Sequence, residues 1–191
     1  MITEEQFQKS IALIDEAHNE DTTLEDGKKA ELLYSERMLQ VLAIVAPDAS
    51  DELKLAAKVQ HMQRWGIPRD TFPIDKKGYY QWRAAVMEHQ LSVSTSLLTE
   101  AEIPAESIEI VVDALKNKND KTNVNASIIE DTACLVFIKW YLTEFIGQFD
   151  NEKAKNILVR TAKKMSAHGL SLIPQLDLHP EVLEVLRLLE D

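Results

Sequence analysis

The chain has 191 residues, 45% of them hydrophobic and 28% charged, with a net charge of −11. Such values suit one globular domain with a sizeable core and exclude a disordered chain, and no apolar run approaches the roughly 20 residues that cross a bilayer. The acidic balance disfavours nucleic acid and anionic lipid as partners, and the single cysteine, Cys134, excludes an intramolecular disulfide or a cysteine cluster for zinc or iron–sulfur binding.

Apolar residues recur with helical period along the whole chain, and strand-length alternation is scarce. A first helix is predicted over Thr3 to His18, with Thr3 and Gln6 as a capping box and Phe7, Ile11, Ile14 and His18 on one face. Asn19 to Gly27 reads as a polar loop. A second helix covers Ala30 to Ala46 and ends before Pro47, and a third starts after Ser50 as N-cap and stops near Trp65-Gly66. Ile67 to Gly78, with Pro68 and Pro73, is the longest irregular connection, a kind of segment that often carries function. A fourth helix follows over Tyr79 to Leu98 and a fifth over Pro104 to Lys118, with Ile108, Val111, Val112 and Leu115 as its buried stripe. Asn117 to Asn125 is a polar turn. The sixth helix, Val124 to Phe149, would be ~39 Å long and central. Asp150 caps a seventh that ends before Gly169, and Pro180 opens a short eighth. The expected fold is therefore all-α, a single-domain bundle of about seven or eight helices over residues 1–191. The N-terminus MITEEQFQKS lacks the basic-then-apolar order of a secretory signal, so a cytoplasmic location is expected.

Charge is unevenly distributed. Lys58 to Arg83 holds six cations and two acids, a net +4, which leaves −15 on the remainder. A basic pocket in an acidic protein suits a small anion better than a long polyanion. Within this segment Trp65, Tyr79 and Trp82 alternate with Arg64, Arg69 and Arg83, an arrangement able to sandwich a planar group or clamp a phosphate through guanidinium forks. The plainer alternative makes the aromatics core and the arginines counter-ions to buried acids.

Asp131 shares a helical stripe with Cys134, Leu135, Ile138 and Leu142, which places a carboxylate on an apolar face. There it must be paired, protonated or bound to a metal; a structural salt bridge to an arginine competes evenly with a ligand role. His61 precedes Arg64 by three residues, so both project from one side, and His89 shares a stripe with Trp82 and Val86. His61, His89 and Asp131, from three helices, could converge as a two-histidine, one-carboxylate site for one divalent metal ion. Histidines on partly apolar faces are more often satisfied core residues.

The run LAAKVQHMQRWGIPR, with ELLYSERM (Glu31 to Met38), GYYQWR, EDTACLVF (Glu130 to Phe137) and KKMS (Lys163 to Ser166), resembles a family known only as a domain of unknown function. Against that pattern, Glu88-His89-Gln90 replaces an aromatic-His-Ala and Ala162 replaces a tryptophan. More distantly, the order of features is similar to the HD-domain phosphohydrolases, helical metalloenzymes acting on phosphate esters. That resemblance implies an HD-like core over about 30–168, with 1–29 and 169–191 as packing extensions. Tyr34 would stand at its first histidine, Gln60-His61 at its His-Asp pair, His89 at its later histidine and Asp131 at its final aspartate. Only the last two keep the expected residue type, so the likeness implies fold more strongly than activity. Lys164-Met165-Ser166 also resembles the Lys-Met-Ser signature of class I aminoacyl-tRNA synthetases, but the nucleotide-binding α/β sheet and the partner histidine motif are missing from the sequence.

Two functional expectations follow. The first is a phosphohydrolase acting on a small phosphorylated molecule or nucleotide. His61, His89 and Asp131 would hold the metal, Arg64, Arg69, Arg83, Lys118 and Lys164 would bind the anion, and Glu130 would accept a proton. The second is a non-catalytic small-anion or nucleotide-binding module, or an acidic helical face that docks a protein. A purely structural role for these polar residues is the third alternative.

Overall fold

The computed structural model describes residues 1–116, 122–148 and 151–187. Lys118, Phe149 and Asp150, named above, lie outside the described residues. Helix α1 (Glu4–Asn19) begins with the expected capping box, in which Gln6 N donates to Thr3 Oγ1 and Thr3 N to the Gln6 side chain. A hairpin of two-residue strands follows, β1 (Leu24–Glu25) and β2 (Lys28–Lys29), with Leu24 opposite Lys29. Its turn residues Asp26 and Gly27 are both left-handed, at φ 51° and 77°, which is the combination that closes a two-residue hairpin.

Helix α2 (Ala30–Val45) and helix α3 (Asp51–Lys58, capped by Ser50) then pack against each other and against α1. Helix α4 (Lys76–Glu100) starts where the Asp75 side chain accepts from Gly78 N at 2.6 Å. Gly78 also lets the preceding loop lie across this first turn, since a Cβ there would stand 2.8 Å from the Pro73 carbonyl carbon. After α5 (Ala105–Lys116), α6 (Val124–Val136) runs through a π turn (Phe137–Tyr141) into α7 (Leu142–Gln148). The chain ends with α8 (Asn151–Ala162), α9 (Ala167–Leu172) and α10 (Pro180–Arg187).

Helix α6 is central, as expected, packing on α2, α3, α5 and α9. All ten helices contribute to one buried cluster, represented by Ile14, Met38, Leu55, Leu98, Leu115, Leu135, Leu142, Leu158, Leu172 and Val182. Each such side chain contributes roughly 1.5–3 kcal/mol by leaving water, so the cluster is the principal source of stability. Among the described residues no helix is long and apolar enough to cross a membrane.

The all-α class holds, but the described residues form ten α-helices rather than seven or eight. Two predicted helices divide. The long sixth is interrupted by the π turn, and the seventh stops at Ala162 and restarts at Ala167 behind Ser166 as a new N-cap. The third is also shorter than predicted. It ends at Lys58 because His61 and Gln63 take φ of 68° and 47°, a conformation no right-handed helix can hold.

A polar cluster lies between α1, α2 and α3. His18 is fully buried, and its Nε2 donates to the Lys58 carbonyl at 3.0 Å, leaving Nδ1 without a hydrogen bond. The buried Lys58 ammonium pairs with Asp15 and donates to Ser35 Oγ at 3.2 Å. Burial holds the imidazole below its usual range, against the Lys58 carbonyl bond and the carboxylates of Asp15 and Asp21, while the Lys58 charge adds to the depression. The unfolded chain therefore takes up this proton at higher pH than the folded one. His18's contribution is complete above about pH 6.5 and is lost as pH falls towards the folded value, with a slope of at most ~1.4 kcal/mol per pH unit. Urea denaturation at about pH 7.5 and about pH 5.5 is expected to show a smaller acid loss in His18→Gln than in the unsubstituted protein. An identical loss in both would remove His18 as its source.

Candidate functional site

The residues that leave α3 set the site. Left-handed backbone at a non-glycine residue costs of order 1–3 kcal/mol and persists only where surrounding contacts impose it. Those contacts are present. Met62 is fully buried, the His61 ring stacks on Tyr34 at 4.2 Å with 14° between planes, and Gln63 Nε2 donates to Glu20 at 3.1 Å. Gln90 Nε2 of α4 donates to the Val59 carbonyl at 3.2 Å.

The chain then enters a single 3₁₀ turn, Arg64–Gly66. The Arg64 guanidinium lies over the Trp82 ring, 5.0 Å from its centre, and its Nη1 is 3.4 Å from His61 Nε2. A guanidinium has only donors, so His61 Nε2 accepts in this contact. Trp82 is buried and its Nε1 donates to the Ile67 carbonyl at 2.8 Å, which fixes the platform under Arg64. Arg64 is half-buried, and among the described residues no carboxylate stands within ion-pairing distance of it.

The Arg64 charge acts on a carboxyl that the sequence reading did not single out. Glu31, in the first turn of α2, is half-buried with Oε2 buried and without a hydrogen-bond partner. Desolvation pushes its carboxyl up to about 8, against the Arg64 charge and with the carboxylates of Asp21 and Glu25 adding to the rise. A helix N-terminus ordinarily favours a carboxylate by 0.3–1 kcal/mol, so burial outweighs the dipole here. Tyr34, one turn further on, is buried, and its hydroxyl is held well above its ordinary range first by burial and then by Glu31 and Tyr141.

Arg37, one turn beyond Tyr34, has a side chain only 8% exposed and ties three elements together. It pairs with Glu25, bonds Asp26 Oδ2 at 3.0 Å and Tyr141 OH at 2.9 Å, and lies over the Trp140 and Tyr141 rings. The hairpin is thereby fastened to the π turn beside the Glu31 carboxyl.

Of the residues expected to carry chemistry, the structure joins His61 and Arg64 in one cluster and sets His89 next to it. His89 Nε2 is buried without a hydrogen bond and stands 3.4 Å from where a Gly66 Cβ would be. Arg83 lies over the exposed Tyr79 ring at 6.0 Å. Arg69 closes its own loop, donating to the carbonyls of Phe72 at 3.1 Å and Pro73 at 2.9 Å. Glu130 pairs with Lys164 at 3.8 Å and is a near charge to the Tyr34 hydroxyl. Lys118 lies outside the described residues.

Asp131 is buried, as its stripe predicted, but its partner is Ser166 and not an arginine. Oδ1 accepts from Ser166 N at 2.7 Å and Oδ2 from Ser166 Oγ at 2.5 Å. Two of the three residues expected to hold a divalent metal are therefore engaged in other contacts. Asp131 spends both oxygens on the α9 cap and His61 Nε2 faces a guanidinium. Among the described residues no group of three or more His, Cys, Asp or Glu is placed to hold a metal ion.

Residues 8–186 match the model of a family described as Domain of unknown function (DUF4202). No curated protein and no solved structure matches the chain.

Proposed function

Since this chain belongs to the DUF4202 family, a domain of unknown function, we propose its role from the site itself: a helical module that binds a small anion, a phosphorylated metabolite or nucleotide, at the turn between α3 and α4. The observation that carries the reading is Arg64. Its guanidinium is oriented by an aromatic platform and a stacked histidine, is half-buried, and has no carboxylate counter-ion among the described residues, in a protein of net charge −11. Guanidinium groups in such positions are suited to bidentate recognition of phosphate or carboxylate.

The core is read as HD-like. Tyr34 and His61, which the likeness puts at two successive positions of that pattern, stack on one another, and this supports it. A metal-dependent phosphohydrolase would need His61, His89 and Asp131 as ligands and Glu130 as proton acceptor, and the commitments of Asp131 to Ser166 and of Glu130 to Lys164 favour binding without turnover.

Calorimetric titration with inorganic phosphate and with a nucleoside monophosphate tests the reading. Arg64→Ala is expected to weaken binding about tenfold or more, because a charge-assisted hydrogen bond contributes roughly 1.5–3 kcal/mol. Arg64→Lys should recover only part of this, keeping the charge and losing the fork. Equal affinity in all three proteins would place the anion elsewhere. Release of phosphate from a simple phosphomonoester upon adding a divalent ion, lost in His61→Ala, would instead support the hydrolase.

A further inference from the structure

We infer that this chain pairs with itself: a basic, aromatic ridge at the start of α4 on one copy docks into an acidic, aliphatic groove along α5 on a second copy. The inference is independent of the anion site proposed above.

The ridge is the outer face of the first two turns of α4 and the loop before them. Ile74, Tyr79 and Tyr80, at 91%, 42% and 58% exposure, stand within one stretch of seven residues. Lys76, Lys77 and Tyr80 line a shallow hollow with Gln81 and Ala84, and Arg83 lies over the Tyr79 ring at 6.0 Å. The neighbouring acid, Asp75, is spent on the helix cap, accepting from Gly78 N at 2.6 Å. Large apolar side chains clustered on a surface and rimmed by charge mark an interaction site, and tyrosine and arginine are enriched at protein interfaces.

A second hollow has the opposite charge. It runs along α5, lined by Glu106, Ile108, Glu109, Ile110 and Asp113, with Lys116 at the end of the helix. Ile110 is 40% exposed. Among the described residues none of Lys76, Lys77, Glu106 and Glu109 forms an ion pair, so these charges are open to an outside partner. Charge complementarity selects the occupant: the ridge calls for an acidic surface with an aliphatic centre, and the α5 groove is one. The two cannot meet within one molecule, because Tyr80 and the groove residue Thr95 lie about 22 Å apart along α4 at 1.5 Å per residue. A two-fold pair uses both contacts reciprocally, and a geometry that does not close builds a head-to-tail array from the same contact. The net charge of −11 opposes association at long range. At about 0.15 M salt the Debye length is about 8 Å, which screens that repulsion and leaves charges in contact to attract.

Sedimentation velocity of the full chain at about 5 to 500 µM and about 0.15 M salt covers the micromolar range of a small interface. The unsubstituted protein is expected to shift from monomer to dimer or larger species as its concentration rises. Lys76→Glu/Lys77→Glu and Glu106→Lys/Glu109→Lys should each stay monomeric throughout, since each reversal sets like charges face to face. An equimolar mixture of the two variants should associate again, because every reversed surface then meets its complement. Both variants keep a net negative charge, so bulk attraction does not account for renewed association, which also shows that both are folded. Tyr80→Ala is expected to weaken self-association about tenfold. A monomer at every concentration would overturn the inference. So would association that either charge-reversed variant retains, or a mixture that stays monomeric.

Discussion

Gly169→Ala is expected to cost about 3–5 kcal/mol of folding stability, although it adds a single methyl group. A Cβ at this position would stand 2.5 Å from Asp131 Oδ1 and 2.8 Å from Oδ2, well inside van der Waals contact. The carboxylate has no route of retreat. It is 2% exposed, and both oxygens are held by Ser166, whose Oγ in turn accepts from Gly169 N at 3.0 Å. Relief of the clash breaks bonds to a charged acceptor, each contributing roughly 1.5–3 kcal/mol, and leaves the charge buried. Urea denaturation measures the loss, with the exposed neighbour Leu170→Ala as a control expected to change little. A Gly169→Ala loss under about 1 kcal/mol would mean that α9 can slide off Asp131 without harm.

Arg37→Met is expected to cost about 3 kcal/mol and to release the hairpin. Methionine replaces the volume of the side chain, so packing over Trp140 and Tyr141 is largely kept. The fork to Glu25, Asp26 and Tyr141 is lost. Glu25, 28% exposed, would then face the Tyr141 hydroxyl without a cation. That hydroxyl, pushed up to about 12 by burial, keeps its proton and cannot take over the role. Asp26 is mostly exposed, and its share of the loss is small. Breaking a buried ion pair from one side costs of order 3–5 kcal/mol, and the exposure of the two acids places this case at the lower end. Amide exchange at residues 24–29 should rise by more than the global loss explains; exchange that merely tracks global stability would show that the hairpin is held by its own turn.

The helices were legible because their signals are local. Thr3 and Ser50 act as the caps their side chains announce, and Asp131 lies on the apolar stripe that its spacing defines. The features that were missed are imposed from a distance. Gln60-His61-Met62-Gln63 contains no glycine or asparagine to mark left-handed backbone, and contacts with Tyr34 and Glu20 hold it there. The hairpin strands are two residues long, too short to show alternation, although Asp26-Gly27 is the dipeptide such a turn requires. His61 and Arg64 do meet, as their spacing implied, but through a turn instead of a helical face. The partners of Arg69 are main-chain carbonyls and one of Asp131's is a main-chain N–H, groups that every residue possesses and no sequence advertises. Glu31 sits inside ELLYSERM, yet its burial depends on how the loop after α1 folds back over it.

The π turn at Phe137–Tyr141 holds one residue more than regular α geometry would accommodate. Deleting one of the five would restore ordinary pitch and leave the downstream phase nearly unchanged, because four residues at about 100° each complete about the turn that the five now make; Leu142 and Ile146 would stay on the face they now bury. The same deletion within α6 or α7 would swing everything beyond it by about 100° about the axis. Related chains should therefore gain or lose a residue at this stretch far more readily than elsewhere in the long helix.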